Sequence, residues 1–345
     1  MLKSIARLSA VMLFTLSLLV SFTGCGNKSS VNGNDSGYVI GFSNFGIGNS
    51  WRVQMEAEFK ARAEKLKADG TVSEYFMMNS NGDINRQIKD MKELIEKGCD
   101  AIIITASSPD ELSPVCEEAM AAGIAVISFD NYVTTDNVTA KIGIDEFEFG
   151  KCGAQWLSDK LGGKGNIVVL NGIEGVAVNS MRNSGAMSVF ANYPDIKILD
   201  ETYAGWDYAQ AKTVTEEFLS KYPQIDGVWS QGGAMTQAAL DAFIAAKRPL
   251  VPMSGEANNG LLKAWKNNLS NGFDSIAPCS PTSMSADALD IAIKSLNGIN
   301  VKLDTVITLP VISSETLDDY VKMNLPDDFW NYTILTAEQL DALYK

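Results

Sequence analysis

Short apolar runs alternate along this chain with longer stretches of helical periodicity, from Tyr38 to about Leu296. Runs such as AIII at 101–104 and IAVIS at 124–128 lack the in-and-out alternation of a half-buried strand. They predict strands covered on both faces, as in a parallel sheet. The first series reads strand Tyr38–Ser43, helix Trp51–Lys67, strand Val72–Met78, helix Ile84–Glu96, strand Ala101–Thr105, helix Asp110–Ala122 and strand Ile124–Phe129. The rhythm then restarts with helix Glu146–Leu161, strand Asn166–Leu170, helix Asn179–Ala191, strand Ile196–Tyr203, helix Ala209–Lys221 and strand Gly227–Ser230. Helix Met235–Ala246, strand Leu250–Met253, helix Leu261–Asn268, strand Phe273–Ala277 and helix Ser283–Leu296 complete it. Gly98 and Gly123 stand just past helices, where a left-handed residue closes the last turn. The expected fold class is α/β, with two doubly wound lobes of similar size. The two series share architecture only, because no residue-level repeat links them.

The first residues follow a different pattern. Lys3 and Arg7 form a positive region, and an apolar run from about Leu8 to Phe22 follows. This suits a secretory signal over residues 1–24 better than a membrane span, being short and flanked on one side only. The sequence FTGC at 22–25 resembles a bacterial lipobox, with Phe22 where leucine is more usual. It implies cleavage before Cys25 and acylation of that thiol. Residues 25–37 would then be a polar, Gly/Ser/Asn-rich tether joining a lipid anchor to the folded body.

Composition narrows the function. The 345 residues are 46% hydrophobic and 20% charged, as in an ordinary globular protein of about two domains. The formal net charge of −14 disfavours nucleic acid as a partner. Histidine is absent, which removes Ser-His-Asp and Cys-His catalysis and His-ligated zinc. An enzyme is therefore not expected, and neither is a cofactor or metal. Beyond Cys25, Cys99, Cys116, Cys152 and Cys279 form no CxxC pair or dense framework. Cys99 and Cys116 read as buried thiols.

Doubly wound sheets bind ligands beyond the carboxyl ends of their strands, so residues just after each strand are the candidates. In the first half these are Asn49, Trp51 and Arg52 at a helix start, Thr105 after the third strand, and Asp130-Asn131 after the fourth. In the second half they are Arg182, Trp206, Gln231 and Glu256. This set joins aromatic planes to carboxylates, amides and guanidinium groups. A sugar needs that mixture, because its apolar CH faces stack on indole while its hydroxyls take charge-assisted hydrogen bonds. With six Arg against 22 Lys, Arg52 and Arg182 stand out. Trp51 and Trp206 also fit helix packing, Asp130 also fits a turn cap, and Gly232-Gly233 also fits a tight turn. Trp156 and Trp229 read as core.

These residues resemble the type I periplasmic sugar-binding proteins of ABC importers, in their ribose- and galactofuranose-binding branch. The resemblance runs from about Tyr38 to Ile312 and is carried by GFSNFGIGNSWR, AVISFDN, NGIEGVAVNSMRNSG, AGWDYAQA and GVWSQGGAM. It implies that Asn49, Trp51, Arg52, Asp130, Arg182 and Trp206 hold a sugar. Three departures bear on which one. Asn131 stands where that family has arginine, Gly232-Gly233 replaces an Asn-Asp pair, and Glu256 is the nearest match to a later aspartate. The resemblance further implies a hinge between an N-terminal lobe, residues 38–143 plus 279–308, and a C-terminal lobe, residues 144–278 plus 309–345. The tail, longer than in the ribose protein, is expected to pack on the second lobe. The function implied is that of a monomeric lipoprotein that captures a monosaccharide, a pentose or hexose including furanose forms. It would deliver this to an ABC transporter permease outside the cytoplasm. A receptor for a sugar, nucleoside or furanose signal, acting in sensing or chemotaxis, is the alternative.

Overall fold

A computed structural model describes residues 36–345. The expected signal segment and Cys25 lie outside the described residues. The first sheet is built from β1 (Tyr38–Asn44), β2 (Val72–Asn79), β3 (Ala101–Thr105), β4 (Ala125–Phe129) and β5 (Ala140–Gly143). Helices α1 (Ser50–Ala68), α2 (Ile84–Glu96) and α3 (Pro109–Ala121) connect its first four strands. The chain then enters α4 (Glu146–Lys160), β6 (Lys164–Asn171), α5 (Ala177–Phe190), β7 (Asp195–Tyr203), α6 (Tyr208–Lys221) and β8 (Gly227–Ser230). The second sheet continues with α7 (Gly233–Ala245), β9 (Met253–Ser254), α8 (Asn259–Asn268) and β10 (Ser275–Pro278). After α9 (Met284–Leu296) come β11 (Asp304–Val306), β12 (Val311–Ile312), α10 (Leu317–Tyr320) and α11 (Ala337–Tyr344).

The strand orders are β2-β1-β3-β4-β5-β11 and β7-β6-β8-β9-β10-β12, so the two sheets repeat one design. All pairings are parallel except β10 with β12, which is antiparallel. β11 and β12 come from one segment but join different sheets. The chain therefore passes between sheets at 144–145, at 279–283 and at 307–310.

The continuous apolar runs are continuous because both faces are covered. Ile103 and Ile127 pack with Ile40, Phe42 and the α1 residues Met55 and Phe59 on one side. Their neighbours Ile102, Ile104 and Val126 pack with Met91, Leu94 and Leu112 on the other. The second sheet repeats this, with Ile167, Val169 and Trp229 facing α4 and α5. Val168, Leu170 and Val228 face α7 and α8 through Phe243 and Trp265. Trp229 is buried core, whereas Trp156 is only half-buried at the edge of that cluster. None of Cys99, Cys116, Cys152 and Cys279 is in a disulfide, and burial pushes the Cys116 thiol up to about 12.

Three features differ from the sequence pattern. The expected strand at 250–253 shrinks to Met253–Ser254, because Pro252 has no N–H to give a ladder. The strands β5, β11 and β12 span few residues and have no period to read. The tail also divides instead of packing wholly on the second lobe. Leu317 joins the second-sheet core, but Phe329, Leu335 and Leu340 pack with Ala57 and Ala61 of α1. Gln54 and Glu58, buried on α1, draw the tail there by binding the backbone of Trp330 and Ile334.

Candidate ligand-binding site

In each sheet the strand order reverses beside the first strand of its series, β1 in one and β6 in the other. The carboxyl ends of both sheets open onto a cavity of about 390 Å³, lined from both halves. Asn49, Trp51, Arg52, Asp130 and Asn131 reach it from the first half, and Arg182, Trp206 and Glu256 from the second. Thr105 and Gln231 do not line it. The Thr105 hydroxyl instead sits between the Arg52 guanidinium and the Asp130 carboxylate, at 3.2 and 3.3 Å. Gln231 bonds Asn171 through its amide, and its backbone carbonyl accepts from Arg182.

The first-half cluster is built on the start of α1. Asn49 caps that helix by accepting from the Arg52 N–H at 3.0 Å. This fixes the turn that sends Trp51 and Arg52 inward. Arg52 Nη2 meets Asp130 Oδ2 at 2.5 Å, and its guanidinium lies 3.9 Å from the Phe45 ring centre. Burial pushes the pKa of Arg52 down, and the Asp130 charge opposes that. Trp51 is held by its Nε1–H, which donates to the Ser280 carbonyl at 2.8 Å. It serves as both core and cavity wall. Asn131 Oδ1 accepts from the Val178 N–H at 3.4 Å, a contact between the two halves.

The second-half cluster repeats the design with one more acid. Arg182 Nε meets Glu146 Oε2 at 2.6 Å, Nη1 meets Glu256 Oε1 at 3.1 Å, and the guanidinium lies 3.7 Å from the Phe149 ring centre. Two glycines allow this. A Cβ on Gly150 would strike the Arg182 carbonyl, and one on Gly185 would strike the Phe147 carbonyl. Their absence lets α4 and α5 close until Glu146 and Arg182 touch. One buried cation therefore serves two buried carboxylates. Burial pushes Glu256 up to about 7 and Glu146 upward as well, both against the pull of Arg182. Burial also works against the charge of Arg182, but Glu146 and Glu256 hold it above the usual guanidinium range.

Asp130 and Trp206 both have left-handed backbones, with φ of +58° and +55°. Residues with side chains rarely adopt this conformation, and it concentrates at binding sites. The Trp206 indole lies between the backbones of Gly172 and Gly232, and a Cβ on Gly232 would come within 2.7 Å of its ring. Gly232 thus makes room for the indole. Gly233 lets α7 approach the Glu256 backbone. The Nε1–H of Trp206 is buried without a protein partner.

Four contributors were not picked out from the sequence: Glu146, Phe45, Phe149 and Trp330. An acid in the first turn of a helix is ordinary, since it complements the helix dipole, so Glu146 gave no signal. The two phenylalanines lie under arginines that are distant or not obviously paired in sequence. Trp330 comes from the tail and lines the cavity. No cluster of acidic or cysteine side chains able to hold a metal occurs among the described residues. No helix there is long and apolar enough to cross a membrane.

The model of the periplasmic binding protein domain matches residues 40–300. The chain belongs to the type I periplasmic sugar-binding protein family. This is a family of substrate-binding proteins that work outside the cytoplasm, not of enzymes. The xylitol-binding protein of Mycolicibacterium smegmatis is 32% identical over 241 residues, 70% of this chain and 68% of that protein. An ABC transporter solute-binding protein from Thermobispora bispora superposes with a TM-score of 0.78 at 26% identity, over 88% of this chain and 94% of that one. The fructose-binding periplasmic domain of a hybrid two-component system superposes at 0.72 with 27% identity, over 82% and 92%.

Proposed function

We propose that this binding protein captures one monosaccharide, a pentose or hexose in pyranose or furanose form, and hands it to the permease of an ABC importer. The observation that carries this is the pairing of one arginine–carboxylate cluster from each sheet around a cavity walled by Trp51 and Trp206. Asp130 accepts from sugar hydroxyls on one side. Arg182, with Nε and Nη1 already committed to protein acceptors, donates through Nη2 on the other. Trp206 supplies the stacking plane. A cavity of about 390 Å³ lies near the lower end of the small-molecule range of roughly 300–1,000 Å³, which fits a single ring. The three chain passages between the sheets act as the hinge between lobe 38–143 plus 279–308 and lobe 144–278 plus the first part of the tail. Ligand shifts the lobes toward the closed state that the permease reads.

The protein acts as a monomer tethered by an acylated Cys25. Wild type should partition into detergent and Cys25→Ser should not; recovery of wild type as an aqueous species with another N-terminus would contradict the anchor. Sensing is a second reading, favoured by the likeness to the two-component fructose-binding domain. A thermal-shift screen over pentoses, hexoses, polyols and nucleosides tests the ligand class. A ligand at 100 times Kd adds about 2.7 kcal/mol of stability, so a true sugar ligand raises Tm clearly. A panel in which only nucleosides, or nothing, shifts Tm would contradict the proposal.

A further inference from the structure

We infer that the C-terminal tail completes the binding cavity, with Trp330 as the wall that sets the size of sugar admitted. This rests on the sugar-binding reading above. Trp330 lies 30 residues past the last position matched by the family model, which ends at residue 300. It lines the cavity, is 5% exposed, and packs with the first-sheet core.

Its position is fixed from every side. The backbone N–H donates to Gln54 Oε1 and the carbonyl accepts from Gln54 Nε2, each at 2.9 Å. The indole Nε1–H donates to Ser50 Oγ at 3.0 Å, so the ring edge is tied to the first turn of α1. On the other side Trp330 forms an antiparallel bridge with Asn258, two residues beyond Glu256. The adjoining Asn259 amide bonds the carbonyls of Lys322, Leu325 and Pro326. Further along, Ile334 N–H donates to Glu58 at 3.2 Å and Tyr344 O–H to Gln54 at 2.7 Å. The tail is thus held to α8 of the second sheet and to α1 of the first. An indole with its backbone and ring edge both bonded cannot swing aside for a larger ligand. It therefore acts as a steric limit beside Ser280 and Trp51.

The test is calorimetric titration of wild type, Trp330→Ala and Trp330→Phe with D-ribose, D-xylose, xylitol, D-galactose, D-fructose and sucrose. Shape discrimination in an apolar pocket is worth about 10- to 200-fold. Trp330→Ala should therefore shift the affinity ratio of larger to smaller ligands by about tenfold or more toward the larger. Trp330→Phe, which keeps a ring there, should stay near the wild-type ratio. If Trp330→Ala does not fold, Trp330→Leu takes its place with the same expectation. A parallel loss of affinity for every sugar, with the ratio unchanged, would mean a purely structural residue and overturn the inference. Wild type that binds none of the panel would instead remove the sugar-binding reading, and this inference with it.

Discussion

Replacing Arg182 by methionine keeps much of the side-chain volume and removes the one cation shared by Glu146 and Glu256. Both carboxylates are buried, at 2.6 and 3.1 Å from the guanidinium. Removing one partner of a buried ion pair costs about 3–5 kcal/mol, because the other charge is left uncompensated. At roughly 2–4 °C per kcal/mol for a large domain, Tm should fall by about 10 °C at pH 8. The cost is electrostatic, so it should depend on pH. At pH 5 the stranded acids can take up protons and escape the penalty, and the gap between variant and wild type should close to a few degrees, on the order of one kcal/mol. Scanning calorimetry of both proteins without sugar, at pH 5 and pH 8, reads this directly. An equal loss at both pH values would assign the effect to packing instead of charge. No loss at pH 8 would mean that the buried cluster is not coupled in solution.

The same cluster makes wild-type stability pH-dependent. Folded Glu256 holds its proton up to about pH 7, well above the ordinary 4.5 of a glutamate, and Glu146 is shifted in the same direction. Between those values the folded state binds protons that the unfolded chain has released, so stability falls as pH rises. Tm should drop between pH 5 and pH 8, and Glu256→Gln should flatten that slope; an unchanged slope would refute the assignment. Gly185→Ala should push α4 from α5 and weaken both Tm and ligand binding, measured by melting and titration, whereas the same change at exposed Gly298, with φ of +74° and open space around it, should leave ligand affinity unaltered. Trp206→Ala should lose affinity through the missing stacking plane, while Trp156→Ala, outside the cavity, should lower Tm and spare affinity.

Much of the fold was legible because buried parallel strands leave unbroken apolar runs such as AIII, and these need no partner to be recognised. The candidate site was partly legible for a topological reason. Ligand crevices lie past strand ends, so Asp130 after β4 and Glu256 after β9 could be placed without knowing any contact. What escaped depends on contacts distant in sequence. Thr105 and Gln231 follow strands as a ligand residue would, yet the Thr105 hydroxyl is spent on Arg52 and Asp130, and the Gln231 side-chain N–H groups on Asn171 and the Asn179 carbonyl. Glu146 looks like any acid opening a helix until Gly150 and Gly185 bring α5 against it. The last part of the tail packs on the first half and not the second because its destination is set by two buried polar side chains, Gln54 and Glu58, which helical periodicity alone does not mark as anchors.

If one sugar is held between Asp130 and Arg182, titration of Asp130→Ala with the strongest ligand from the thermal-shift screen should show it. Hydrogen bonds to a charged group contribute roughly 1.5–3 kcal/mol, so affinity should fall about 10- to 150-fold, with Trp156→Ala as the control that binds like wild type. Asp130→Ala that binds the sugar as tightly as wild type would mean that Asp130 does not hold the ligand.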